Sequence, residues 1–267
     1  MTQPRGDSSA GTASAGSGLA SRSRADSDLS SPFPTKPANV RRFHSRGLSF
    51  TQYDASGVPS VFFSTLEWET HLAVRWRQPD ARVQTQEWLT PAAEVDEIAD
   101  ELGIRRPRKS PRVPTLSTDL VVTTAKRVMP IACKYSAELD QTRVQEKLQI
   151  AARYWERRGH VHEVRTERDL PRPFVRNLRQ AYFAATAFDS WPLEERRRLL
   201  GCLRDASCSA RMQTAGQLTA NVATRLRTSQ AKAMTVFWAA LWHRWLPADL
   251  ARRIMPMSVL GEFVTSL

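Results

Sequence analysis

Two apolar runs of this chain, joined by a polar turn, each carry one charged residue, and the two are of types that could do chemistry together. The stretch runs Ser117-Thr118-Asp119-Leu120-Val121-Val122, then a polar turn from Thr123 to Arg127, then Ile131-Ala132-Cys133-Lys134-Tyr135-Ser136. Two β-branched-rich runs bracketing turn residues predict a β-hairpin. With the turn centred near Ala125, Asp119 falls roughly opposite Ala132 and Lys134 lies on the diagonal, about 7–8 Å away, within reach of one shared ion or phosphate. A carboxylate and an ammonium are costly to bury in such a hairpin unless they share a partner. Glu67 supplies a second carboxylate from upstream. Two acids and an amine are the parts that metal-assisted phosphodiester cleavage requires: oxygen ligands for a divalent cation and a positive group near the phosphate or the water. Blander readings fit the same residues. Ser64 and Glu67 form the Ser-x-x-Glu pattern of a helix capping box, and Asp119 with Lys134 reads equally as an ion pair at the edge of a sheet.

The elements that must position these residues can be read on either side. Helical spacing of Leu66, Leu72, Ala73 and Trp76 predicts a helix from Ser64 to about Arg77, led in by Val61-Phe62-Phe63 and closed by Pro79. Arg82 to Leu89 alternates as a strand. Thr90-Pro91 opens a helix through Leu102, with Gly103 at its end. Val144, Leu148, Ala151 and Trp155 mark one face of a helix from about Asp140 to Arg158, followed by Gly159 and a strand from Val161 to Arg165. Residues 47–167 thus read as a mixed α/β domain. Beyond Thr166, which with Asp169 could cap a new helix, the pattern is helical throughout: Phe174 to Phe188, Pro192 to Arg204, Ala215 to Arg227, and Gln230 to Leu246. The last of these gathers Phe237, Trp238, Leu241, Trp242 and Trp245 into an aromatic stripe that reads first as core. Residues 1–46, rich in Ser, Gly, Ala and Arg, read as a disordered basic tail.

Composition narrows the partners. The chain has 267 residues and a formal net charge of +12, with a pI near 10.4, so a polyanionic partner is expected, nucleic acid ahead of an anionic membrane surface. Arg105, Arg106, Arg108, Lys109 and Arg112, broken by prolines, form a basic loop suited to tracking phosphates; a solvated loop would have the same composition. Cys133, Cys202 and Cys208 match no zinc spacing and read as reduced thiols. No apolar run reaches membrane-spanning length and no signal-peptide core opens the chain, so a soluble intracellular protein is expected.

The order of the short motifs is more specific than any one of them. Ser64-x-Leu66-Glu67, Val83-x-x-Gln86, Ala99-x-Glu101-Leu102-Gly103-Ile104, Ser117-Thr118-Asp119-Leu120-Val121, Ala132-Cys133-Lys134-Tyr135-Ser136, Glu146-Lys147-Leu148-x-Ile150-x-x-Arg153-Tyr154-Trp155 and Thr166-Glu167 together resemble the TnsA family, over about residues 60–180. TnsA is the endonuclease subunit of heteromeric cut-and-paste transposases. The resemblance implies a restriction-endonuclease-like α/β domain over 47–167, followed by a mostly helical, winged-helix-like partner-binding domain over 168–267. It implies Mg²⁺-dependent cleavage of the 5′ ends of a transposon, Mn²⁺ serving as a substitute, in a cytoplasmic, nucleoid-associated bacterial protein. The partners implied are DNA, a TnsB-type transposase and a TnsC-type AAA+ ATPase. Carried over residue by residue, the catalytic positions are Glu67, Asp119 and Lys134, and the metal positions Glu67, Asp119 and the main chain of Ala132. Restriction enzymes carry a Glu at the Ala132 position and the founding TnsA a glutamine, so only a backbone carbonyl is available here. A catalytically inactive DNA-binding or scaffolding subunit is the alternative that this alanine keeps open.

Overall fold

Periodicity along the chain becomes a mixed sheet flanked by helices, then a helical half. The computed structural model describes residues 50–53, 59–105 and 116–265. The expected tail over 1–46 and the basic positions Arg106, Arg108, Lys109 and Arg112 lie outside the described residues. A two-stranded antiparallel ribbon, β1 (Phe50–Tyr53) and β2 (Pro59–Phe62), leads into helix α1 (Thr65–Arg77). Strand β3 (Arg82–Trp88), helix α2 (Ala92–Glu101), strands β4 (Ser117–Thr123) and β5 (Val128–Cys133), helix α3 (Thr142–Glu156) and strand β6 (Glu163–Arg165) follow. The four-stranded sheet has the order β3-β4-β5-β6; its first two pairings are antiparallel and β5-β6 is parallel. Asp119 therefore sits on an interior strand, which removes the edge-strand reading.

Each element ends where its residues require. The Ser64 hydroxyl caps α1 by accepting the Glu67 N–H. Gly103 and Gly159 adopt φ of +63° and +75°, the left-handed geometry that lets Ile104 N–H return to the Ala99 carbonyl and His160 N–H to the Trp155 carbonyl. Helix α3 buries Ile150, Ala151, Tyr154 and Trp155 on one stripe, and the Trp155 indole donates to the Thr118 hydroxyl at 2.8 Å, pinning the helix to β4. β6 begins two residues later than the alternation predicts, and Val161 is left 80% exposed. A turn at Ser136–Glu138 delays α3 to Thr142.

The helical half holds α4 (Arg172–Asp189), α5 (Leu193–Ser207), α6 (Ala215–Leu226), α7 (Gln230–Trp242) and the single turn α8 (Leu260–Phe263). Thr166 and Asp169 form a capping box, but on the short turn Glu167–Asp169 rather than on the helix expected there; α4 follows with Pro171 at its N-cap. α7 stops at Trp242, four residues short of expectation. Arg244 turns left-handed with φ of 57°, and Leu246 N–H closes back on the Ala240 carbonyl. The stripe divides accordingly: Phe237, Trp238 and Leu241 are buried, whereas Trp245 is 48% exposed. One hydrophobic cluster runs from Phe62 to Val264. Trp76 of α1 joins it to the helices, edge-on to Phe174 and donating to the Leu241 carbonyl at 3.2 Å. All three cysteines are free; Cys133 is buried and Cys208 exposed. Among the described residues no helix is long and apolar enough to cross a membrane.

Candidate active site

The hairpin brings Asp119 and Lys134 into direct contact. Leu120 pairs with Ile131, and one step further along that register Asp119 faces Ala132, as the turn position predicts. Asp119 Oδ2 accepts the Cys133 N–H at 2.7 Å and the Lys134 ammonium at 2.8 Å. Lys134 Nζ also donates to the Cys133 carbonyl at 2.9 Å, and Lys134 N–H extends the β5-β6 ladder to the Arg165 carbonyl at 3.0 Å. Backbone and side chain of the lysine are thus both held. Asp119 Oδ1 accepts no hydrogen bond among the described residues.

Glu67 comes to the same cleft from α1. Its Oε2 accepts Phe63 N–H and the Gln86 carboxamide, each at 2.8 Å, and its Oε1 accepts the Ser64 hydroxyl at 3.1 Å. The cap and the cleft readings of Glu67 are therefore both physically present. The return bond of the expected capping box reaches the Phe63 N–H, one residue upstream of Ser64. The cleft, about 480 Å³, is lined by Glu67, Asp119, Ala132 and Lys134, with Lys147 of α3 and His162 just before β6 at its wall.

Electrostatically this is a site with an excess of buried acid. Burial first, and then the field of Asp119, pushes the Glu67 carboxyl up to about 7, against the downward pull of Phe63 N–H and Lys134. Burial works against the charge on Lys134, but Asp119 beside it and Glu67 more than reverse this, holding its pKa above the ordinary lysine value. Lys134 is an ammonium at any physiological pH. Burial, reinforced by Asp119, raises the Cys133 thiol far above its usual range, so it is no nucleophile. His162 is pulled down to about 4, by burial above all, and its Nε2 is buried without a hydrogen-bond partner among the described residues.

The oxygen donors fit a hard divalent cation. Two carboxylates face one cleft with Lys134 against Asp119, Asp119 Oδ1 accepts no hydrogen bond among the described residues, and a cation would offset the burial and the repulsion that raise Glu67. Ala132 lines the cleft but brings no side-chain ligand. Among the described residues no three His, Cys, Asp or Glu side chains cluster closely enough to bind a metal by themselves, so water and main-chain oxygens would have to complete any shell.

Three residues gained a place that sequence reasoning had not given them. Gln86 stood within a quoted motif but without a role; its signal is an uncharged polar side chain in a strand that borders the acids. Ser117 bonds Gln86 through its hydroxyl at 3.1 Å. His162 carried no signal, because one histidine in a short alternating run is unremarkable.

An acid on the interior strand β4, a lysine just past the end of β5 and a glutamate on α1 thus meet in one cleft. Residues 81–167 match the family model described as TnsA-like endonuclease N terminal. The matched segment, about a third of the chain, is similar to TnsA-like endonuclease N-terminal domains and contains most of the cleft. The match spans Gln86, Asp119, Ala132, Lys134 and His162, while Glu67 lies upstream of it. No curated protein matches the chain.

Proposed function

We propose that this chain is the DNA-cleaving subunit of a heteromeric transposase, hydrolysing the phosphodiester at the 5′ ends of a transposon during cut-and-paste transposition. The observation that carries the reading is the convergence of Glu67, Asp119 and Lys134 on one cleft, with Lys134 and Asp119 2.8 Å apart. Glu67, Asp119 and the Ala132 carbonyl would hold Mg²⁺, or Mn²⁺ in its place. That ion would supply Lewis-acid polarisation of the phosphate and a more acidic water. Lys134 keeps its proton and presents a point charge to the phosphoryl oxygens as negative charge builds on them. Asp119, held by the Cys133 N–H and by Lys134, orients that ammonium. Hydrogen bonds from Phe63 and Ser64 favour the ionised form of Glu67 that a cation needs. Base reading is assigned to a TnsB-type partner, which would cut and join the 3′ ends. The helical segment 168–267, read as a separate winged-helix-like domain, would dock a TnsC-type AAA+ ATPase. A bacterial, nucleoid-associated location follows from that role.

The test uses the full chain with its partner transposase and a labelled transposon-end duplex. Asp119→Ala and Lys134→Ala should each abolish 5′-strand nicking, a loss of about 3 kcal/mol or more of transition-state stabilisation, with assembly on DNA intact. Retained cleavage by Asp119→Ala would overturn the assignment. Ala132 favours one second reading, a catalytically silent DNA-binding scaffold. That reading predicts no Mg²⁺- or Mn²⁺-dependent nicking by the wild-type complex, and only a weakened, less salt-sensitive DNA affinity for Lys134→Ala.

A further inference from the structure

The strand that borders the two acids is bent at one residue, and that residue grips Glu67. β3 and β4 pair on both sides of the bend, Thr85 with Leu120 and Glu87 with Thr118, but Gln86 drops out of the ladder with φ of 54°. By the same register its missing partner is Asp119. A left-handed non-glycine residue inside a strand is strained, and persists only where its surroundings over-determine it. Here they do. Gln86 is 3% exposed; its Nε2 donates to Glu67 Oε2 at 2.8 Å, and its Oε1 accepts the Ser117 hydroxyl at 3.1 Å. A buried amide with its donor on a carboxylate and its acceptor on a hydroxyl has one orientation that satisfies both ends. Glu67 accordingly has a fixed azimuth: Gln86 and Phe63 N–H share Oε2, while Ser64 alone holds Oε1. At a single kink the chain gives up a ladder pairing beside Asp119 and gains a donor on Glu67.

We propose that Gln86 is the positioning residue of this cleft: its carboxamide, locked by Ser117 and delivered by the left-handed kink in β3, aims the Glu67 carboxylate so that it and Asp119 serve one divalent cation. The inference rests on the cation reading above. A glutamine that merely filled space would matter for stability and not for the ion. The kink makes the two roles separable, because glycine accepts φ of 54° without strain. Gln86→Gly therefore relaxes the backbone while deleting the amide, whereas Gln86→Ala deletes the amide and keeps the strain.

The experiment is calorimetric titration of Mn²⁺ into the full chain, paired with thermal unfolding in chelator. Both Gln86→Gly and Gln86→Ala are expected to weaken Mn²⁺ binding about 10- to 100-fold, the usual effect of losing a partner that orients a ligand, although Gln86→Gly melts at or above the temperature of Gln86→Ala. Ser117→Ala, which only unlocks the amide, should weaken binding less. If wild type binds Mn²⁺ and both Gln86 variants bind within about twofold of it, the inference falls and the cation site stands. If wild type takes up no Mn²⁺, the cation reading fails and takes this inference with it. Should both Gln86 variants lose their native circular dichroism, Ser117→Ala decides: weakened uptake supports the positioning role and unchanged uptake overturns it.

Discussion

Two places in this molecule set carboxylates against cations, and they do so in opposite ways. Between α2 and α3, Glu94, Glu97 and Glu101 meet Arg157 and Arg158. Arg158 grips Glu94 with two bonds of 2.8 Å, lies over the Tyr154 ring at 3.6 Å, and reaches the Tyr154 carbonyl at 3.1 Å. In the cleft, Lys134 bonds Asp119, while Glu67 is held by neutral donors, Phe63 N–H, Ser64 and Gln86. The Arg158 hydrogen bond holds the Glu94 carboxyl below its ordinary value, while burial and Asp119 push Glu67 up to about 7. The same residue type is therefore held ionised by a guanidinium in one region and, in the other, buried beside a second acid that favours its protonated form. A clasp needs nothing further; in the cleft a cation of the kind proposed above would lower the cost of keeping Glu67 ionised.

The largest effect that could break this contrast belongs to Glu67. Its folded pKa lies above its unfolded value of 4.5, so the folded state holds a proton that the unfolded state releases, and stability falls as pH rises from about 4.5 through about 7, then levels. The full span corresponds to roughly 3 kcal/mol. Glu67→Gln should remove this component. In chelator, the variant is expected to gain melting temperature on wild type steadily across that window, while losing Mn²⁺ uptake. Saturating Mn²⁺ should close the gap by raising wild type alone. Parallel melting curves against pH would mean that Glu67 is satisfied by its hydrogen bonds and that the cleft does not lack a cation.

The contrast was only partly legible in the sequence, for a physical reason. Local signals were strong wherever a side chain's neighbours lie close in sequence. Ser64 before α1, Gly103 and Gly159 after their helices, and the turn that sets Asp119 against Ala132 could all be read from spacing, and each reappears in the structure. What could not be read is contact between distant segments. Gln86 meets Glu67 across 19 residues and Ser117 across 31, and a left-handed residue within an alternating strand leaves no mark on composition. His162 reaches the cleft wall only because β6 runs parallel to β5. The early end of α7 was hidden likewise, since the apolar period continues past Trp242 although the helix is capped at His243 and the chain turns left-handed at Arg244.

A smaller effect, of opposite sign, sharpens the comparison at the clasp. Glu94 has a depressed folded pKa, so its contribution is present above the unfolded value of 4.5 and is lost as pH falls through the folded one. Arg158→Ala should cost about 1–2 kcal/mol at neutral pH, combining a partly buried bidentate pair with lost packing on Tyr154. The cost should shrink in acid, where Glu94 is protonated in both proteins. Mn²⁺ uptake should not change. Denaturant unfolding at neutral and acidic pH checks the first pair of statements, and the same calorimetric titration checks the last. If Arg158→Ala weakened the ion, clasp and cleft would be coupled through α3.

The smallest effect belongs to a pair that resembles the clasp on paper. Glu194 and Arg197 on α5 are three residues apart and 3.2 Å from each other, but their side chains are 86% and 67% exposed. Water screens both charges, and holding two long side chains together offsets the remaining attraction. Glu194→Ala should leave the melting temperature and Mn²⁺ uptake where they were. That null result makes this helix face, rather than the clasp, the place to test the proposed docking of an ATPase, because lost binding there could not be blamed on a weakened fold. A clear drop in melting temperature would instead show that proximity alone stabilises an ion pair in this protein, and burial would no longer separate the cleft from the surface.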